Sequence, residues 1–180
     1  MHRQDWLKLS IEELLEFIEQ DHHRIREKMS ELQTLLEQST GRYSDTINDM
    51  LVALREFLPA FKIGMEKHFA SEEQMFIPYV RQMDEFERGI GTKPEIHRSS
   101  IKNPISLLEL EHDQTENVMF KRIHTIISGY HSPTDSGDSL VALFDGMKEV
   151  KTFISEHIHI EHTILFPLAI DLELRLMHKK

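Results

Sequence analysis

Apolar residues recur along this chain in alternating steps of three and four, the spacing of one buried helix face, in four long stretches. The first predicts a helix over about 10–38, with Ile11, Leu14, Ile18, Ile25, Met29, Leu32 and Leu36 on its stripe. The second, about 44–87, carries Ile47, Leu51, Leu54, Leu58, Phe61, Met65, Met75, Tyr79, Met83 and Phe86. The third, about 104–128, carries Ile105, Leu108, Thr115, Met119, Ile123 and Ile126; the fourth, about 138–177, carries Leu140, Phe144, Met147, Val150, Ile154, Ile164, Leu168 and Leu172. Ser10 with Glu13 reads as a capping box, and Asn103-Pro104 as an N-cap followed by proline at the first helical position. Ser39-Thr40-Gly41 and the Gly, Pro and Ser-containing linkers 88–103 and 128–138 separate the stretches. Trp6, Leu7 and Leu9 are expected to pack onto the bundle end. Pro59 and Pro78 stand inside the second stretch and should kink it, and Pro167 repeats Pro78.

Four amphipathic helices with short connections predict an all-α fold, an antiparallel up-down four-helix bundle in one domain over 1–180. The stripes are interrupted by polar residues where the period demands an apolar one. These are His22 in the first helix, His68 and Glu72 in the second, His112 in the third, and His157 and Glu161 in the fourth. His68-x-x-x-Glu72 and His157-x-x-x-Glu161 each place an imidazole and a carboxylate one turn apart on one face, and each is followed five residues later by proline. His22 stands 46 residues ahead of His68, and His112 stands 45 ahead of His157. The chain is therefore a duplication of about 90 residues, each half a helix-turn-helix unit with its polar groups in the same places.

Buried polar groups need partners, and six in one apolar core need more than one another. One core histidine can be satisfied by a hydrogen bond; six groups in a duplicated pattern point to metal. Four imidazoles and two carboxylates exceed the four ligands of a tetrahedral zinc and suit two ions, with the carboxylates bridging and an oxo, hydroxo or water completing the pair. Without thiolate, the donor set suits iron, manganese or zinc, and open positions would admit a small molecule. Ile18, Phe61, Phe69, Phe76, Phe153 and Phe166 are candidate walls. His23 falls about 100° off the stripe and is expected to be exposed or to support a ligand. His97, His124, His131, His159 and His162 are also off it and are read as bystanders.

Composition narrows the picture further. The chain has 180 residues, no cysteine and a net charge of −10. Disulfides, thiolate ligands and a cysteine nucleophile are excluded, and a cytoplasmic location is expected. The acidity and the lack of a long basic run argue against nucleic acid. No apolar run approaches the length of a membrane span, and Met1–Ser10 has no apolar segment of the kind a signal peptide needs. An apolar flank formed by Phe57, Phe120 or Phe144 is a candidate homodimer face.

The His22-His23 pair, the two His-x-x-x-Glu segments ending in Ile77-Pro78 and Phe166-Pro167, and Glu111-His112-Asp113 resemble the hemerythrin-like, or HHE, cation-binding domain. The resemblance spans residues 10–170. It implies an up-down bundle holding a non-haem di-iron centre, two oxo- or hydroxo-bridged irons, with His22, His68, Glu72, His112, His157 and Glu161 as ligands. Oxygen-carrying hemerythrins have a further histidine four residues after the one on the third helix. Here that position is Glu116, which argues against simple oxygen carriage. The local sequence is similar to the di-iron domain of iron–sulfur cluster repair proteins, which commonly add a cysteine-containing N-terminal domain that this sequence lacks.

The leading expectation is thus a di-iron protein that binds, senses or reacts with a small oxidant (O2, NO or peroxide), in stress defence or cluster repair; whether it turns over as an enzyme is left open. A ferritin-like oxidase or store is the alternative, because Glu19-x-x-His22 and Glu109-x-x-His112 match the carboxylate-histidine spacing of such bundles. That alternative leaves His68 and His157 without a role. A metal-stabilised signalling module, with His23 as a phosphate acceptor, is the non-enzymatic alternative.

Overall fold

Ser10 opens the first helix as expected. Its amide donates to Glu13 Oε2 at 2.8 Å, and the Glu13 amide donates back to Ser10 Oγ at 3.2 Å. Two amides at the exposed helix start are thereby satisfied. The computed structural model describes residues 6, 8–39, 43–94, 100–128 and 138–178. Helix α1 runs Ile11–Gln38, α2 covers 45–87, α3 covers 102–128 and α4 covers 138–178. The described residues contain no strand, and the fold class is the expected all-α bundle. No helix among them is long and apolar enough to cross a membrane. Leu7, Thr40, Gly41, His97, His131 and Lys179–Lys180 lie outside the described residues.

The start of α3 differs from the expectation. It begins at Lys102, whose amide donates to Ser100 Oγ at 3.3 Å, while the Asn103 amide donates to the Ser100 carbonyl at 3.1 Å. Ser100, not Asn103, does the capping. Pro104 still falls in the first turn, where a missing N–H costs little.

A larger difference comes from three π turns. Glu72–Phe76 in α2, Thr115–Met119 in α3 and Glu161–Leu165 in α4 each close with an amide reaching back five residues. Such a turn inserts one residue and rotates everything after it. Some expected stripe positions in or just after the turns give way to the next residue, while Met83, Ile123 and Leu172 farther on are buried as expected. Met75 is 61 % exposed, and Phe76 is buried in its place. Phe120 replaces Met119, and Ala169 replaces Leu168. Pro78 and Pro167 follow directly after two of these turns, so the repeated irregularity inferred from the prolines is a π turn. Pro59 lies in Asp45–Ser71, which remains α-helical throughout.

The helices contribute to two compact units. One comprises Met1–His22, His68–His112 and Glu156–Lys180. Its apolar cluster includes Leu14, Leu15, Ile18, Phe76, Ile77, Val80, Ile105, Leu108, Leu165, Phe166 and Leu172. Trp6 packs edge-on to Phe17 with ring centroids 4.2 Å apart, and Leu9 packs against the same cluster, as expected for the lead. The other unit comprises His23–Lys67 and Asp113–Ser155. There Met29, Leu32, Leu58, Phe61, Ile123, Met147 and Val150 line one small apolar cavity. Phe57 and Phe120 are buried in this unit, 2 % and 6 % exposed, and Phe144 is half-buried. The flank read from the sequence as a dimer face is thus core for two of its three residues.

Candidate metal centre

All six polar residues that interrupt the stripes belong to the first of these units. All are buried, with His22, Glu72, His157 and Glu161 at 0 % exposure. They converge in two overlapping groups. His22 and His157 meet Glu72 and Glu161 on one side, and His68 and His112 meet the same two carboxylates on the other. Within each group one ligand-type atom per residue lies within 4.8 Å of the others.

The ring nitrogens are sorted by direction. Every Nε2 faces the carboxylates. His22 Nε2 lies 2.9 Å from Glu72 Oε2, and His68 Nε2 lies 3.5 Å from Glu72 Oε1. Glu72 therefore offers a different oxygen to each group. His112 and His157 Nε2 lie 3.2 and 3.4 Å from Glu161 Oε2. His68 and His112 Nε2 are 3.0 Å apart. Neighbouring ligand atoms around one ion, with bonds of about 2.0–2.2 Å, stand about 3 Å apart, which is the spacing found here.

Every Nδ1 faces outward to a polar neighbour. His22 Nδ1 is 2.9 Å from Glu73 Oε1, His68 Nδ1 is 2.7 Å from Glu111 Oε2, and His112 Nδ1 is 2.8 Å from His162 Nε2. His157 Nδ1 faces Asp21 Oδ2 at 3.9 Å, too far for a hydrogen bond but close for a charge. This is the arrangement that orients metal-bound histidines, with one nitrogen tethered and the other presented. The duplication governs it. The residue after each stripe glutamate, Glu73 or His162, contacts the lone histidine of its own half. The residue before each lone histidine, Asp21 or Glu111, faces the paired histidine of the other half. Sequence reasoning passed over Asp21 and Glu73, used Glu111 only as a motif letter, and set His162 aside. Adjacency to a ligand, repeated across the two halves, was the signal available.

Whether these residues suit a metal can be judged from their hydrogen bonding. His22 Nε2, both oxygens of Glu72, both ring nitrogens of His157 and both oxygens of Glu161 are buried facing one another or, for His157 Nδ1, Asp21, without the well-directed hydrogen bonds that would satisfy them. A buried polar atom left without a proper partner costs about 1–3 kcal/mol. Glu173, equally buried, shows the usual outcome: it accepts from Ser100 Oγ at 2.6 Å and from the Ile101 amide at 2.8 Å. Bound metal would supply what these atoms lack, and the residues fit it.

The electrostatics follow from burial. Desolvation raises Glu161 from the ordinary 4.5 to about 8, and it raises Glu72 well above that ordinary value, helped by the neighbouring Glu161 charge. Desolvation pushes His157 well below 6.5, with the cationic forms of the other three histidines opposing it further. His68 falls to about 4 through desolvation and His112, against the opposing pull of Glu111. Burial thus favours the uncharged forms of Glu72, Glu161, His68 and His157.

Phe69 stacks on the His22 ring at 4.3 Å, and Phe166 lies parallel to His112 at 6.0 Å with Phe76 edge-on behind it. Ile18 belongs to the same apolar cluster. Phe61 and Phe153 belong to the second unit, where Phe61 stacks with Phe57 and Phe153 lies under the Arg24 guanidinium. Glu19 is held by Arg81 at 2.9 Å and Glu109 is exposed, so neither carboxylate of the ferritin-like spacing joins the cluster. His23 is solvent-exposed beside Glu27, and His124 and His159 are exposed.

The family model described as Hemerythrin HHE cation binding domain matches residues 13–169. Among curated proteins, the chain is 27 % identical over 168 residues to the probable iron-sulfur cluster repair protein of Haemophilus influenzae, covering 93 % of this chain and 69 % of that one. It is 27 % identical to the iron-sulfur cluster repair protein YtfE of Yersinia pseudotuberculosis, with the same coverage. Its identity to YtfE of Escherichia coli is also 27 %, covering 92 % of this chain and 69 % of the relative.

Proposed function

This chain belongs to the hemerythrin HHE cation-binding domain family, and from that premise we propose that it is a non-haem di-iron protein that binds or reacts with a small oxidant. The observation that carries the reading is the doubled set of inward-facing Nε2 atoms around two shared, otherwise unpartnered carboxylates. His22 and His157 would hold one iron and His68 and His112 the other, with Glu72 and Glu161 shared between them. A bound iron pair supplies one-electron redox chemistry toward O2, NO or peroxide. The chain's own residues set the conditions for it. Glu73, Glu111 and His162 fix three of the four imidazole rings, and Phe69, Phe76 and Phe166 keep the neighbourhood apolar. The relatives named as iron–sulfur cluster repair proteins favour a role in repairing or protecting such clusters, and with it a cytoplasmic setting.

The test is anaerobic loading of the metal-free protein with ferrous iron, followed by metal analysis and absorption spectra before and after O2 and, separately, NO. The expected result is two irons per chain and new bands with each oxidant, with fewer than two irons and no such bands in His68→Ala and His157→Ala. One inert ion per chain, or none, would refute the proposal.

A further inference from the structure

The duplication is not perfect at the centre. Where the first half has Glu73 beside His22, the second has His162 beside His112. With its Nε2 on a metal, His112 must donate through Nδ1, so His162 accepts with the bare Nε2 of a neutral ring. A neutral acceptor makes a hydrogen bond roughly half as strong as a carboxylate does and adds no negative charge. The other supports deepen the contrast. The His22–His157 position faces two carboxylates, Glu73 and Asp21, whose side chains are 31 % and 9 % exposed. Behind the His68–His112 position stands Glu111 on His68, 47 % exposed and so better screened by water.

Resting on the two-ion reading above, we propose that the two metal positions are unequal: the His22–His157 position fills first and tightly, the His68–His112 position second and more weakly, with His162 the positioning residue that sets the difference. Tethers of this kind change metal affinity by about 10–100-fold, which is the separation expected between the two steps.

Cobalt(II) added stepwise to the metal-free protein, followed by calorimetry and visible absorption, reads affinity without reference to activity. Wild type should take up two ions in two resolved steps. His162→Glu, which copies the first half, should tighten the second step by about 10–100-fold and merge the two, whereas His162→Gln, a neutral acceptor, should keep them apart. His68→Ala should retain the tight step, and His157→Ala should lose it. Two ions bound in a single phase by wild type, or steps unchanged in a folded His162→Glu, would overturn the inequality and leave the di-iron reading standing. Saturation at one ion or none would overturn both.

Discussion

The two compact units are built from pieces of the same helices and solve opposite problems. In the unit of His23–Lys67 and Asp113–Ser155, the only buried polar side chain among the described residues is Ser39, and its hydroxyl donates to the Leu35 carbonyl. That core needs nothing beyond its own apolar surface. In the unit of Met1–His22, His68–His112 and Glu156–Lys180, nine polar or charged residues are buried, six of them the candidate ligands. On the proposed reading, stability there is given up to hold donor atoms in place and would return when a cation binds. One unit is a scaffold that folding completes; the other, on that reading, is a site that metal would complete.

The largest effect that can break this contrast is Phe61→Ala. It removes a buried ring from the apolar unit and should cost about 3–5 kcal/mol in a urea unfolding curve, by the same amount with and without iron. A cost that iron abolished would mean that the two cores are not energetically distinct. Next is metal itself. Ferrous iron at about a hundredfold over its dissociation constant should stabilise the wild type by about 2.7 kcal/mol, and the gain should vanish in His157→Ala. Equal unfolding midpoints with iron and with chelator would end the claim that this unit depends on a cation.

The third effect is pH dependence in the metal-free protein. Glu161 is held at about 8 when folded against 4.5 when unfolded, so the fold keeps a proton that the unfolded chain releases between those values. Its contribution to stability is full below pH 4.5 and is lost as pH rises to about 8. His157 acts at the other end: its folded value lies well below 6.5, so the unfolded chain gains a proton that the fold refuses, and stability falls as pH drops below 6.5. Glu161→Gln should flatten the alkaline loss and leave the acid one. An unaltered alkaline slope would show that another group is responsible. Iron uptake at pH 7 should also release a proton from Glu161, measurable as a dependence of binding heat on buffer. The smallest effect is Ser10→Ala, which should cost about 1 kcal/mol through the lost cap while leaving the iron count unchanged.

Much of the site was legible because helical periodicity is a local property. A histidine at position 22 or 112, or a His-x-x-x-Glu at 68 or 157, lands on the buried face whatever the rest of the chain does. The capping box at Ser10 was legible for the same reason. The misreadings lie in and just after the π turns: Met75, Met119 and Leu168 hold the stripe positions of an unbroken α-helix, yet Phe76, Phe120 and Ala169 are the buried residues, while Met83, Ile123 and Leu172 farther on are buried as expected. No local preference marks such a turn beforehand. The π turns in α2 and α4 start at Glu72 and Glu161 themselves, where extra rotation swings the following apolar residues into the core while the carboxylates face the imidazoles.

By itself the sequence determined four helices, a duplicated half and six polar residues turned inward, since each of these follows from spacing along one helix. Only the tertiary structure decided which imidazoles share a side of the carboxylate pair, and that Asp21, Glu73, Glu111 and His162 back them. Those pairings join residues from different helices, so they depend on how the helices register against one another. That is set by packing over the whole unit, which no single stretch of the chain encodes.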